Sequence, residues 1–405
     1  MRTSNIKYSL LDYIIIIVYI ITIASASSLC YNTIFKQTIL IILLILALIK
    51  KKKIHPILFV VIFFNIFIEA CASYYLGNTS FNIFRIYNYI YPIVFSYAIL
   101  HISGEKFIIK LEKIIFILTC ISLPIFCIQV VNLPFIESLS SSFNNFLAEP
   151  LQKGASWYIF IFNYCWLPNS PTITRNSGFM WEPGAFALVL VIFLIYRIIK
   201  NNYSLKNDTH AYIYFIAIIT TFSTSGYIAL ILILIPSILR TQNKIFKIIL
   251  LILFAACVPI IFQLDFISGK IDSYLEDTNA FSYGYHSETG TIEFNRYMFF
   301  EYVLNEIAKF PLGYGSNPVL FSHYEVVAPN GLAQLLYHWG IIGFIFIIVS
   351  LYKSIKCFSN NQKSRYTLLY LLAISVLLFS NPVHFNPILF TLILIPFLLK
   401  KIYTI

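Results

Sequence analysis

The stretch TRNSGFMWEPGAFALVL at 174–190 places Arg175 and Glu182 at the mouth of an apolar helix. Arginine grips phosphate oxygens through a planar fork of donors, and carboxylates and imidazoles move protons. Residues of these types recur further on: Glu288, Glu293 and Arg296, then Tyr314, Asn317 and His323, then Asn330, Gln334 and His338. The last three are spaced i, i+4, i+8 and fall along one helical face. His338 then stands about 12 Å down its helix, a depth at which a titratable group of a membrane protein faces a bundle interior or a wet cavity. Each residue also has a plainer reading. Arg175 alone is equally an arginine reaching for lipid phosphates, and Glu182-Pro183 makes an ordinary helix start. His338 can donate to a carbonyl across a helix pair. Glu69, with Asn65 one turn before it, lies inside an apolar run and reads as a structural hydrogen-bond partner for another helix.

Signatures of soluble enzymes are missing. The chain has no phosphate-binding Walker loop, no GxGxxG opening a helix after a strand, no HExxH and no GxSxG. Ser223-Thr224-Ser225-Gly226 reads as a tight corner between two helices. The seven histidines are scattered without metal-ligand spacing, so neither a metal nor a cofactor is expected. The seven cysteines show no CxxC pair and read mostly as apolar filler; Cys30 and Cys165 both fall on the outer side, where a disulfide between them is a minor alternative.

The elements that must position these residues are hydrophobic throughout. Of 405 residues, 59% are hydrophobic and only 11% charged, with a mean hydropathy of +0.81. A soluble domain needs far more charge on its surface. The apolar residues fall in blocks near the roughly 20 residues that cross a bilayer as helix. Helices are expected near 11–29, 38–49, 57–76, 89–102, 114–131, 183–199, 211–223, 226–239, 247–263, 331–352, 367–380 and 384–399. The fold class expected is an all-α polytopic membrane protein of about twelve spans in a single domain. With both termini on the cytoplasmic side, 21 of the 28 basic residues fall inside. Outside fall Lys36, Arg85, Lys153, Arg175, Lys270, Arg296 and Lys309. That bias is the positive-inside rule, so the net charge of +11 reflects topology and no nucleic-acid partner is expected. No cleavable signal peptide is expected; the first apolar block reads as a retained helix.

Two connections are long, 132–182 and 264–330, and both fall on the outer face. Long connections are uncommon unless functional or disordered. The first is aromatic, with WYIFIFNYCWLP suited to lipid headgroups. The second carries Phe299, Val303, Ile307 and Phe310 at helical spacing, which predicts an amphipathic helix near 292–309 lying on the membrane surface. Pro311 stops it, and Gly313 and Gly315 allow a tight turn.

Four local motifs occur in one order: RNSGFMWEPGAFA opening a helix, FSTSGY between two short ones, FPLGYGS after the outer helix, and APNGLAQLLYHWGIIG opening the next. The set resembles the O-antigen polymerase (Wzy) family, within the wider superfamily of O-antigen polymerases and ligases. The motifs cover roughly 170–345, and the topology covers the whole chain. Relatives often carry His-Asn where this chain reads Pro329-Asn330, so no histidine role transfers to that position. The Arg-to-Gly spacings of some relatives are not cleanly repeated after Arg175 or Arg296.

The resemblance implies a lipid-linked glycosyltransferase of GT-C-like architecture in the bacterial inner membrane. It would move a growing glycan from undecaprenyl pyrophosphate onto the non-reducing end of a second lipid-linked repeat unit. The leaving pyrophosphate calls for arginine and the incoming hydroxyl for a base. On that implication Arg175 and Arg296 form the phosphate clamp, and the N–H groups opening the 183–199 helix can assist. Glu182, Glu293 or His323 is the base. Tyr314, Asn317 and Asn330 hold sugar hydroxyls, with His338 below them. Membrane lipid, a chain-length regulator and the flippase are the other implied partners. Two alternatives stand beside it: a ligase passing finished glycan to lipid A–core, and a flippase, for which Glu69 and His338 speak and the long outer loops do not.

Overall fold

The structure is a computed structural model and describes residues 10–24, 33–50, 53–77, 83–139, 156–159, 162–165, 174–205, 207–240, 248, 284–286, 291–321, 324–327, 329–358 and 366–399. Within them the chain is mostly helical, and four helices are long and apolar enough to cross a membrane. In chain order the helices are α1 (Leu10–Ala24), α2 (Thr33–Ile49), α3 (Ile57–Tyr75), α4 (Ile83–Ser103), α5 (Lys106–Val131), α6 (Pro183–Lys200), α7 (Thr209–Thr220) and α8 (Thr224–Arg240). They continue with α9 (Arg296–Lys309), α10 (Gly331–Cys357), α11 (Thr367–Ser380) and α12 (Pro387–Leu398). The four of membrane-crossing length and composition are α3, α5, α6 and α10. The helix expected at 247–263 lies outside the described residues, as do Cys30 and His323.

Helix α6 organises the bundle. Its sequence PGAFALVLVIFLIYRIIK is apolar on every face until Arg197, and such a helix is stable only when surrounded. Sixteen of its side chains are buried, with α7, α8 and α11 packed around it. At its far end Arg197 grips Asp208, the residue capping α7, through Nη2 at 2.7 Å and Nε at 3.0 Å. Glu112 joins the same cluster, accepting from the Tyr214 hydroxyl and lying 2.7 Å from His210 Nδ1. Asp208 is 2% exposed, so Asp208→Ala leaves the Arg197 cation only the more distant Glu112 carboxylate at 4.0 Å. The expected loss is on the order of 3 kcal/mol, read as a lowered unfolding midpoint of the detergent-solubilised protein.

The all-α expectation needs two additions. Strands β1 (Ser156–Ile159), β2 (Phe162–Cys165) and β3 (Arg175–Asn176) form a three-stranded antiparallel sheet. The aromatic segment read as a headgroup layer therefore includes a hairpin, since its alternating bulky residues suit a pleated strand as well as an interface. A second sheet, in the order β4 (Gly284–His286), β5 (Thr291–Glu293), β7 (Tyr324–Val327), β6 (Leu320–Phe321), has β5 and β7 parallel and its other pairs antiparallel.

The amphipathic helix is α9, and it differs from the expectation in two ways. It starts at Arg296, because 291–293 pair as β5 and the Asn295 side chain caps the helix by accepting from Met298 N at 2.8 Å. Its apolar stripe also faces protein. Phe299, Val303 and Ile307 are buried against Ala333, Leu336 and Tyr337 of α10 and against Phe294, Val319 and Val326. A stripe at i, i+4, i+8 looks the same whether lipid or protein covers it, and the sequence could not separate the two.

Helix α10 is broken. Gly340 has φ +63° and ψ −174°, which ends one helical segment and starts another. The segment FPLGYGS fills the break with its own backbone. Tyr314 N and Gly315 N donate to the carbonyls of Tyr337 and His338, and Ile341 N donates to Pro311 O. Groups freed inside an apolar bundle must find partners within the protein, and here one loop supplies them. The contact is backbone on backbone: a Cβ at Gly340 would lie 2.3 Å from the Leu312 carbonyl, and one at Gly313 would lie 2.4 Å from Gly340 N.

Candidate functional site

The mouth of α6 is built by small and amide-bearing residues. Asn163 of β2 is fully buried, and its Nδ2 donates to the carbonyls of Met180 and Trp181 at 2.9 and 2.8 Å. It thereby fixes the chain just ahead of Glu182. Asn176 spans the other side, with Nδ2 donating to Thr220 Oγ1 at 2.9 Å and Oδ1 accepting from Gly178 N at 2.9 Å. Gly178, at φ +52°, turns the chain tightly over the Phe186 ring. Asn381, between α11 and α12, packs against both Gly184 and Gly331, where added Cβ atoms would overlap its atoms at 1.9 and 2.4 Å. So α6 and α10 each carry a glycine in the first turn against one shared asparagine.

Into this frame Arg175 comes from β3, and its Nε donates to Thr221 O at 3.1 Å, at the end of α7. Glu182 is the extended residue preceding α6, yet its side chain makes no capping bond to the helix. Its Oε1 is enclosed and has no hydrogen-bond partner. Arg296 opens α9 from the other side, and its Nε is likewise enclosed without a partner. Burial pushes the Glu182 carboxyl above its ordinary value; Arg296, then Arg175, and a hydrogen bond from Trp181 pull the other way. The charges of Arg296 and Arg175, from two distant stretches, therefore both reach the Glu182 carboxyl. Two guanidinium groups acting on one carboxylate give this trio a net positive charge, which suits a phosphate-bearing ligand.

The remaining candidates divide. Asn330 is fully buried and spent on structure: its Oδ1 caps α10 through Ala333 N at 3.1 Å, and its Nδ2 donates to the Arg296 carbonyl at 3.3 Å. Tyr314 stacks on Tyr337 with ring centres 4.5 Å apart, and its hydroxyl donates to the Glu306 carboxylate at 3.1 Å. Asn317 Nδ2 donates to Tyr314 O at 2.8 Å. These three were expected to hold sugar hydroxyls; in the structure the bonds they make hold α9, its following loop and α10 together. His338 Nδ1 lies 2.7 Å from Gly315 O, so the side chain anchors the same loop. Glu293 lies in β5 opposite Gly284 and Val327, and His323 lies outside the described residues.

Sequence reasoning missed Asn163, Asn176 and Asn381. Asn381 had a readable signal, since Asn381-Pro382-Val383-His384-Phe385-Asn386-Pro387 is a polar island between apolar blocks. His384 of that island stacks on His338, with ring centres 5.7 Å apart. Burial, and His338 next to it, hold its imidazole well below the ordinary histidine value. Among the described residues no group of three or more His, Cys, Asp or Glu is arranged to hold a metal. Comparison with protein-family models, curated proteins and solved structures returns no match for this chain.

Proposed function

We propose that the protein is an O-antigen polymerase that joins undecaprenyl-pyrophosphate-linked oligosaccharide repeats at the periplasmic face of the inner membrane. The observation that carries the reading is that Arg175 and Arg296, from the two long connections, both act electrostatically on the buried carboxylate of Glu182 at the start of α6. The bond from the donor sugar C1 to the pyrophosphate oxygen breaks. The charge left on that oxygen is taken up by the two guanidinium groups, as preorganised donors stabilise developing anions elsewhere. The acceptor hydroxyl forms the new C1–O bond, and its proton passes to Glu182. Burial makes Glu182 a stronger base than an exposed carboxylate, which suits proton removal near neutral pH.

The ordered charge at the two ends of α6 supports the orientation. Arg197 and Lys200 close the helix at the end away from Glu182, where basic residues belong on the cytoplasmic side. Both substrates are lipid-anchored, so a site at a helix mouth beside apolar spans is where they would meet. The donor bond is already activated, and no nucleotide sugar or ion gradient enters the step.

A base with a raised pKa gives the rate an acid limb. Elongation is lost as pH falls through that raised value and Glu182 gains a proton. Glu182→Gln should lower elongation by about a hundredfold or more and remove the limb. An unchanged pH profile in the Gln variant would assign the base elsewhere. For the reading as a whole, a strain lacking the gene should make lipopolysaccharide capped with one repeat. Bare core in that strain would instead mean a ligase passing glycan to lipid A–core.

A further inference from the structure

Glu69 is a carboxylate in the middle of α3, 6% exposed, and such a charge is costly among apolar helices unless donors satisfy it. Both its oxygens are taken by one residue. Ser316 N donates to Oε2 at 2.6 Å and Ser316 Oγ donates to Oε1 at 2.6 Å. Ser316 ends the FPLGYGS segment, the one whose backbone fills the break in α10. Gly315 just before it has φ +58°, and a Cβ there would lie 2.3 Å from Glu69 Oε2, so the close approach depends on glycine. Asn65, one turn earlier, donates to its own helix at Val61 O and takes no part.

The segment is continuous with α9, a rod of 14 residues and about 20 Å. At the rod's far end stands Arg296, whose carbonyl is held by Asn330. α9 is therefore held near Arg296 by Asn330, along its stripe by α10, and beyond its other end by the loop that docks on α10 and, through Ser316, on Glu69. We propose that Glu69 is a positioning residue for the transfer reaction. It sets where α9 ends, and so where the Arg296 guanidinium stands against Glu182. The inference rests on the polymerase reading of Arg296.

A misplacement of about 1 Å at a reacting group, caused from a distance, can lower the rate about a hundredfold. Glu69→Gln keeps the volume but turns an N–H2 group toward one of the Ser316 donors. In proteoliposomes it should lower kcat for elongation of a lipid-linked repeat about a hundredfold with KM little changed. Ser316→Ala, which removes one of the two bonds, should lower it about tenfold. Spin labels at Tyr297→Cys on α9 and Ile219→Cys on α7, in a chain with its native cysteines replaced, should show a shifted or broadened distance in Glu69→Gln. The decisive comparison is a cycle with Arg296→Lys. If Glu69 acts through Arg296, the double variant is hardly slower than the slower single variant. Losses that multiply, or wild-type elongation by Glu69→Gln, would overturn the proposal. Normal elongation by Arg296→Ala would instead overturn the reading of Arg296, and the positioning role with it.

Discussion

Arg296→Ala is expected to stop chain extension while the protein still accumulates and inserts normally. Removing one preorganised donor from a site that stabilises an oxyanion costs about a hundredfold to a thousandfold in rate. Arg296 has an enclosed Nε without a hydrogen-bond partner, so its removal breaks no hydrogen bond at that atom. Arg175 differs, because its Nε holds Thr221 O at the end of α7. Arg175→Ala should therefore lower both elongation and stability, the latter by about 1 kcal/mol for one hydrogen bond. Lysine at either position should rescue only partly, since an ammonium carries the charge but not the two-point fork. The readout is the ladder of repeat numbers on a lipopolysaccharide gel, normalised to the amount of protein in the membrane. Full ladders from both alanine variants would show that the arginines do no more than reach for lipid.

The second large effect belongs to the break in α10. Gly340→Ala adds a Cβ 2.3 Å from the Leu312 carbonyl, at a φ of +63° that side-chain-bearing residues avoid. Gly313→Ala meets Gly340 N at 2.4 Å, at φ +94°. Overlap with backbone leaves nothing flexible to move, so strain and overpacking add to about 2–4 kcal/mol. The FPLGYGS segment should leave its socket, α9 should lose its anchor, and elongation should fall at least a hundredfold. Gly77 supplies the control. It has φ +64° but open space around its Cα, so Gly77→Ala should cost about 1 kcal/mol of strain alone and leave elongation intact. Thermal unfolding of the solubilised variants beside their ladders separates these outcomes. Equal behaviour of Gly340→Ala and Gly77→Ala would show that the docked loop is dispensable.

Much of the bundle was legible because its signal is long. Blocks such as ALVLVIFLIY leave no alternative to a surrounded helix, and Pro183 marks where α6 begins. The site was legible in part for a chemical reason. Arginine and glutamate beside apolar runs are conspicuous, and the charges of Arg175 and Arg296 both reach the buried Glu182 carboxyl. What stayed hidden was whatever depends on who sits opposite. The α9 stripe names an apolar partner but not whether that partner is lipid or α10. Gly340 falls inside the helix expected at 331–352, and nothing local says that a loop 27 residues away enters a break there. Tyr314, Asn317 and Asn330 have donors and acceptors that suit a sugar, yet the same atoms suit Glu306, Tyr314 O and Ala333 N equally well. Glu69 is the converse case: its structural hydrogen bond was expected, but its partner in FPLGYGS was not readable.

The account stands or falls on whether this chain alone extends a lipid-linked glycan. The most direct measurement is purified protein in liposomes, given undecaprenyl-pyrophosphate-linked repeat units with no ion gradient, nucleotide sugar or lipid A–core. Products of two or more repeats on one lipid, with one undecaprenyl pyrophosphate released per linkage and none formed by Arg296→Ala, are the predicted result. Unchanged repeat units from active, folded protein, or transfer only when a lipid A–core acceptor is added, would contradict it.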